Sequence, residues 1–258
     1  MRFIRLIAVL ALTAATALPA AARSHKPEKP HNVLIFVADG LRYVSVTPQT
    51  APTMWALKTR GVDFTNSHSL YPTITTVNAS AIATGHYIGD TGNFGNMLYT
   101  GYPVAGANGA PITFQEDDVL LGDLATHFNG NYLNETSLIA AAREAGYATA
   151  VMGKVGPTAI QDITQRDGTG TIVIDDALNT PKGITISPQI NDAIKAAGIS
   201  PTAPKTNVPN TAQQQYLIDV ATKVVLPKLG SSGHPFAMLY WSRDPDASQH
   251  SAKDSFGK

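Results

Sequence analysis

Two aspartates in this sequence each stand just past an apolar run, and one of them has a histidine four residues on. Asp39 directly follows Val33–Ala38, and Asp246 comes shortly after residues 236–241, with His250 behind it. An acid at the exit of a buried strand, followed by Gly40 where backbone can approach closely, is well placed to hold a hard or borderline cation. The same position also suits an aspartate capping the next helix. Residues four apart on a helix project from one face, so the Asp246 carboxylate and the His250 imidazole can meet on a single ion. Between the two acids lies a hydroxyl cluster, Thr73, Thr75 and Thr76, just ahead of a helical stretch. Such hydroxyls often cap helices. A hydroxyl at a helix N-terminus and in contact with a divalent cation can also lose its proton more easily and act as a nucleophile. The residue types alone leave all three threonines open.

The elements that must position these groups alternate along the chain. Residues 33–38 form a continuous, β-branched apolar run, the pattern of a strand buried on both faces of a parallel sheet. A short helix over 53–59, a strand over 62–65 and a small-residue helix over 78–83 follow. Residues 89–118, rich in Gly, Asn and Pro, read as an irregular covering loop. Residues 135–145 predict a helix capped by Asn134 and ended by Gly146, leading into a strand over 147–152. Weaker helical patterns cover 189–197 and 213–226, and the latter delivers the chain to the last apolar run. Strands and helices separated by tens of residues imply an α/β fold, mainly a parallel sheet with helices on both faces.

At the start, Arg2 and Arg5 precede an apolar stretch that closes on small residues, Ala20 and Ala22. This is the pattern of a secretory signal over residues 1–22, too short to span a bilayer, and cleavage is expected before Arg23. Residues 23–31 read as a polar leader and residues 32–258 as one α/β domain. The expected location is therefore periplasmic or secreted, with no membrane anchor after cleavage. Cysteine is absent, so stability in an oxidising compartment rests on packing or bound metal. Nineteen basic residues balance nineteen acidic ones, which argues against a nucleic-acid-binding surface.

Four blocks, residues 32–42, 71–75, 84–87 and 92–96, resemble in order and spacing the type I phosphodiesterase/nucleotide pyrophosphatase branch of the alkaline phosphatase superfamily. Residues 245–250, Pro-Asp-Ala-Ser-Gln-His, are similar to that family's later Pro-Asp-x-x-x-His metal motif. The resemblance implies an alkaline-phosphatase-like fold and two divalent metal ions of zinc type. It places Asp39 and the nucleophile Thr75 on one ion, and Asp246 and His250 on the other. It also makes Asn96 a donor to a phosphoryl oxygen. Implied in turn is hydrolysis of a small-molecule phosphodiester or nucleotide pyrophosphate through a phosphoryl-threonine. A phosphomonoesterase, a non-catalytic exported binding protein and an inactive fragment are the alternatives.

The sequence departs from the family pattern in two ways. It holds no Asp-His dipeptide, and His25, His31, His68, His86, His127 and His234 fit no metal motif. The expectation is thus the family's amino-terminal portion, incomplete at the C-terminus, with those six histidines at the surface or in loops. Nor does the Cys/Ser-x-Pro-x-Arg pattern of sulfatases occur. Lys154, after a strand, resembles a lysine that some relatives place near substrate, although a lone Gly-Lys at such a position is more often a solvated strand end.

Overall fold

A computed structural model describes residues 30–251. The expected signal, residues 1–22, lies outside them, as does all but the end of the leader. Among the described residues six strands occur: β1 (Val33–Ala38), β2 (Met97–Tyr99), β3 (Ile112–Phe114), β4 (Ala148–Gly153), β5 (Ile172–Asp175) and β6 (Phe236–Ser242). Four of them make a parallel sheet in the order β1-β6-β4-β5, and β2 and β3 pair as a small antiparallel ribbon. The chain's last strand therefore inserts between its first and its fourth. Val33 pairs with Ala237 and Ala148 with Phe236, so three strands end at one level.

Among the described residues ten α-helices accompany the strands: α1 (Pro52–Arg60), α2 (Thr75–Thr84), α3 (Ile88–Thr91), α4 (Asp118–His127), α5 (Leu138–Glu144), α6 (Pro157–Ile160), α7 (Pro188–Ala196), α8 (Thr211–Val220), α9 (Leu226–Gly230) and α10 (Asp246–Ser251). The period-two rule of strands assigns them to two layers. Val151, Leu239 and Trp241 point to one face and pack with α2, α4, α5 and α6 through Ala79, Leu121, Ile139 and Ile160. Ala150, Met152, Met238 and Tyr240 point to the other and meet Ile190 and Ile194 of α7 and Leu217 and Val220 of α8. Helices on both faces of a mainly parallel sheet are what the apolar pattern implies. Between α8 and α9 the helix widens to a π turn, Ala221–Val225, because Pro227 has no N–H to continue the ladder.

Some expectations need correction. Residues 62–65 form no strand: Val62 and Phe64 are exposed, and four alternating residues without a neighbouring strand gain nothing by extending. The helix expected from 135 begins at Leu138, since Ser137 is the cap, its Oγ accepting from the Ala140 N–H at 3.2 Å. Asn134 instead adopts a left-handed turn (φ 56°) and donates to the Asp90 carbonyl. The span 89–118 is more ordered than a covering loop, for it holds the β2–β3 ribbon and ends in α4, capped by Asp117. Strand β5 and helix α4 had no expected counterpart.

Candidate active site

Sheet order brings the two strand-end acids together. Trp241 and Ser242 close β6 beside Ala38 of β1, and the Asp39 N–H donates to the Ser242 carbonyl at 3.1 Å. The Asp246 N–H then donates to the Asp39 carbonyl at 3.0 Å, which ties the turn after β1 to the start of α10. Gly40 makes that turn possible. Its φ is +71°, and a Cβ there would lie 3.0 Å from the Asp246 Cα.

On the other side of β6, Gly153 ends β4 with φ +128°, where a Cβ would fall 1.9 Å from the Trp241 carbonyl oxygen. This tight passage turns Lys154 under the two aspartates. Its ammonium donates to Asp39 Oδ2 at 2.9 Å, Asp246 Oδ2 at 3.1 Å and Thr75 Oγ1 at 3.2 Å, and lies 3.1 Å from Glu116 Oε1. The Lys154 side chain is 3% exposed. Burial alone draws its pKa down, but the attraction of Asp39, Glu116 and Asp246 outweighs burial and raises it, so the ammonium stays charged. Three carboxylates around one ammonium leave the cluster anionic.

Thr75 opens α2, with its hydroxyl toward this cluster, while Thr76 is buried behind it. Thr76 presents both its N–H and its hydroxyl to Asn96 Oδ1 at 3.0 Å, and Asn96 Nδ2 donates to Glu116 Oε1 at 3.3 Å. Asn93 is buried one step further in and donates to Ser80 Oγ and the Thr76 carbonyl. The Asp39 carboxylate also accepts from Trp241 Nε1 at 3.1 Å. His250 Nε2 stands 3.1 Å from Asp246 Oδ1, with its ring largely exposed. Above these groups opens a cleft of about 1150 Å³, lined by Asp39, Thr75, Asn96, Trp241, Asp246 and His250 among others.

Beneath Lys154 a second polar layer fixes the loop. The Val155 N–H donates to Asp176 Oδ1 at 3.0 Å, and Asp176 also pairs with Arg243. Next to it the buried carboxyls of Asp118 and Asp175 meet. Burial, then the neighbouring Asp118, holds Asp175 well above the usual carboxylate range, and burial raises Asp118 as well. One proton shared by such a pair relieves the repulsion.

Of the threonines, then, Thr75 faces the acids. Thr73 is exposed and bonds to Ser69 Oγ, and Thr76 is a buried brace. Asp39, Thr75, Asn96, Asp246 and His250 all line one cleft. Lys154 is not a solvated strand end, because the aspartates of β1 and α10 close over it. Glu116 gave no sequence signal at all, since it sits in a short loop between β3 and α4 with no motif around it. Among the histidines, His68 lines the cleft and contacts Asn66, His86 faces Asp90 and Glu135 at the surface, and His127 stacks on Tyr102.

Residues 33–255 match the family model for type I phosphodiesterase / nucleotide pyrophosphatase. The chain belongs to that family. Two crystal structures of phosphonoacetate hydrolase from Sinorhizobium meliloti 1021, one in complex with phosphonoacetate and one with phosphonoformate, are similar in fold at a TM-score of 0.55. Sequence identity is 18% and 19%, and each match covers 85% of this chain and 50% of that chain. The chain thus spans about half the length of those hydrolases. No curated protein sequence matches it.

The metal ions implied for this phosphodiesterase/nucleotide pyrophosphatase family member fit the donors in kind. Asp39 Oδ2 and Asp246 Oδ2 already converge on one cationic nitrogen, with the Thr75 hydroxyl beside them and His250 behind Asp246. Carboxylate, imidazole and hydroxyl are suitable ligands for zinc-like ions. They are few in number: among the described residues no group of three or more His, Cys, Asp or Glu is arranged so that it could hold a metal ion.

Proposed function

We propose that this protein is a metal-dependent phosphate-ester hydrolase acting on phosphodiester or nucleotide pyrophosphate bonds, with Thr75 as nucleophile. One observation carries the reading: Thr75 Oγ1, at the start of α2, shares the Lys154 ammonium with Asp39 and Asp246 on the floor of an open cleft. Bound divalent ions would supply Lewis-acid stabilisation of the phosphoryl and leaving-group oxygens. Asp39 and Thr75 would hold one, Asp246 and His250 the other.

The chain's own groups do the rest. The Thr75 hydroxyl, held at the N-terminus of α2, gives up its proton to solvent more readily there. Asn96 is braced by Thr76 through its Oδ1, and its Nδ2, which gives one hydrogen to Glu116, has a second to offer a phosphoryl oxygen. An Oγ1–P bond forms as the P–O bond to the leaving group breaks, and the leaving group departs with the electron pair. Water then cleaves the Oγ1–P bond and restores the threonine. Export of the chain belongs to the same proposal, and mass spectrometry of the exported protein should find Arg23 at its start.

The decisive experiment is hydrolysis of bis(4-nitrophenyl) phosphate by purified protein supplied with zinc. Turnover abolished by chelation, and lowered more than about 10³-fold in Thr75→Ala, is the expected result. Unchanged turnover in that variant would remove Thr75 from the mechanism. Tight, reversible ligand binding with no turnover under any metal would favour the exported binding protein instead, the reading that the small number of ligands supports.

A further inference from the structure

The oxygens that a metal ion would take are the oxygens that Lys154 holds. Asp39 Oδ2 and Asp246 Oδ2 belong to elements far apart in sequence, yet both lie within 3.1 Å of the same nitrogen. A zinc-like ion binds carboxylate oxygen at about 2.0–2.2 Å. An ion seated on either oxygen would stand against the ammonium, like charge against like beside a lysine side chain that is 3% exposed, and the two would repel. Lys154 has one anchor outside the metal set. Glu116 Oε1 is 3.1 Å from its nitrogen, enters from the loop between β3 and α4, and is itself steadied by Asn96.

We propose that Lys154 is a built-in competitor for the cation: the divalent ion and the ammonium exclude each other from Asp39 and Asp246, and loading the site moves Lys154 onto Glu116. The inference rests on the reading of this cleft as a metal site, though not on its turning over any ester. Lys154 thereby neutralises the acids whenever the ion is away, and metal affinity is set partly by how readily the lysine leaves. A lysine suited to this has a buried ammonium, partners shared with the metal, here Asp39, Asp246 and Thr75, and one partner, Glu116, that is not. Lys154 has all three.

The proposal fixes opposite signs for two substitutions. Lys154→Met removes the competitor, so zinc affinity, measured by competition with a fluorescent chelator, should rise at least about tenfold. Glu116→Gln removes the retreat position and should weaken zinc several-fold, although Glu116 is no ligand. The wild-type chain gives a readout independent of both variants. Acetylation of intact protein, quantified by peptide mass spectrometry, should be slow at Lys154 with chelator and several-fold faster with zinc, while the exposed Lys195 and Lys223 stay constant. Lys154 labelling unmoved by zinc would overturn the exchange and mean that the ion uses other oxygens or does not bind. Equal or weaker zinc binding in Lys154→Met would overturn it too. Should that variant not fold, the Glu116→Gln result and the wild-type labelling decide. Exchange without hydrolysis of bis(4-nitrophenyl) phosphate would sink the hydrolase reading alone, and hydrolysis with Lys154 labelling indifferent to zinc would sink the exchange alone.

Discussion

Charge placement in single residues governs this site more than shape does. Asp175 and Asp118 show the principle away from the cleft. Both carboxyls are buried and adjoining, so the folded state keeps a proton that the unfolded chain releases at the ordinary carboxylate pKa. The folded protein therefore binds more protons as pH climbs above about 4, and stability falls through that window. Below it both states are protonated and the full contribution is present. Asp175→Asn leaves an oxygen to accept from the Ala177 N–H, as Asp175 Oδ1 does at 2.9 Å, and adds an N–H toward Asp118. Denaturant unfolding across pH 4 to about 8 should give a flatter stability profile for this variant, and a higher melting temperature than wild type at the alkaline end. Parallel profiles would mean the two acids share no proton. The strand-end acids and the Asp246/His250 spacing were readable in the sequence because each is a local pattern. Lys154 was legible only as a family resemblance and Glu116 not at all, because their significance lies in partners up to 115 residues away.

At the scale of elements, turns with no room for a side chain set the geometry. The β1–α10 junction needs Gly40, and the exit of β4 needs Gly153. Gly40→Ala should cost about 1–2 kcal/mol from the positive φ alone, plus displacement of Asp246. Zinc affinity should fall with it, measured alongside the unfolding free energy. A stability loss with metal binding intact would show that Asp246 tolerates the shift. Apolar runs announced β1, β4 and β6 within a residue or so: β4 and β6 are buried on both faces as expected, whereas β1 is apolar throughout yet leaves Val33, Leu34 and Phe36 exposed at the edge of the described sheet. Strand β5 was hidden in a Gly- and Thr-rich stretch, where four residues are too few for a period to show. The real cap of α5, Ser137, was missed because Asn134 offers an equally good local cap and only its turn conformation rules it out.

Across the whole molecule, two helical layers clamp the sheet, but not evenly. Leu217 is fully buried on the α8 side, and Leu217→Ala should lose about 2–5 kcal/mol of stability in denaturant unfolding. The proposed hydrolysis, measured per folded molecule, should not change, since Leu217 belongs to a core cluster and not to the cleft lining. At the β1 edge of the described sheet, Leu34 and Phe36 are more than half exposed, and only Tyr240 stacks on Phe36. An apolar face beside an open sheet edge favours self-association. Phe36→Lys should lower the light scattering of concentrated protein, and an unchanged signal would locate the association elsewhere.

What the sequence determined by itself is local: which runs become strands, that acids leave two of them, that a hydroxyl cluster opens a helix, and which family the motifs resemble. Only the tertiary structure decided that these groups meet. Inserting β6 between β1 and β4 sets the ends of the first, fourth and last strands side by side, and so folds Lys154 beneath Asp39 and Asp246. Strand order depends on how whole faces pack, a sum over many weak contacts distant in sequence, and no short window of residues carries that sum.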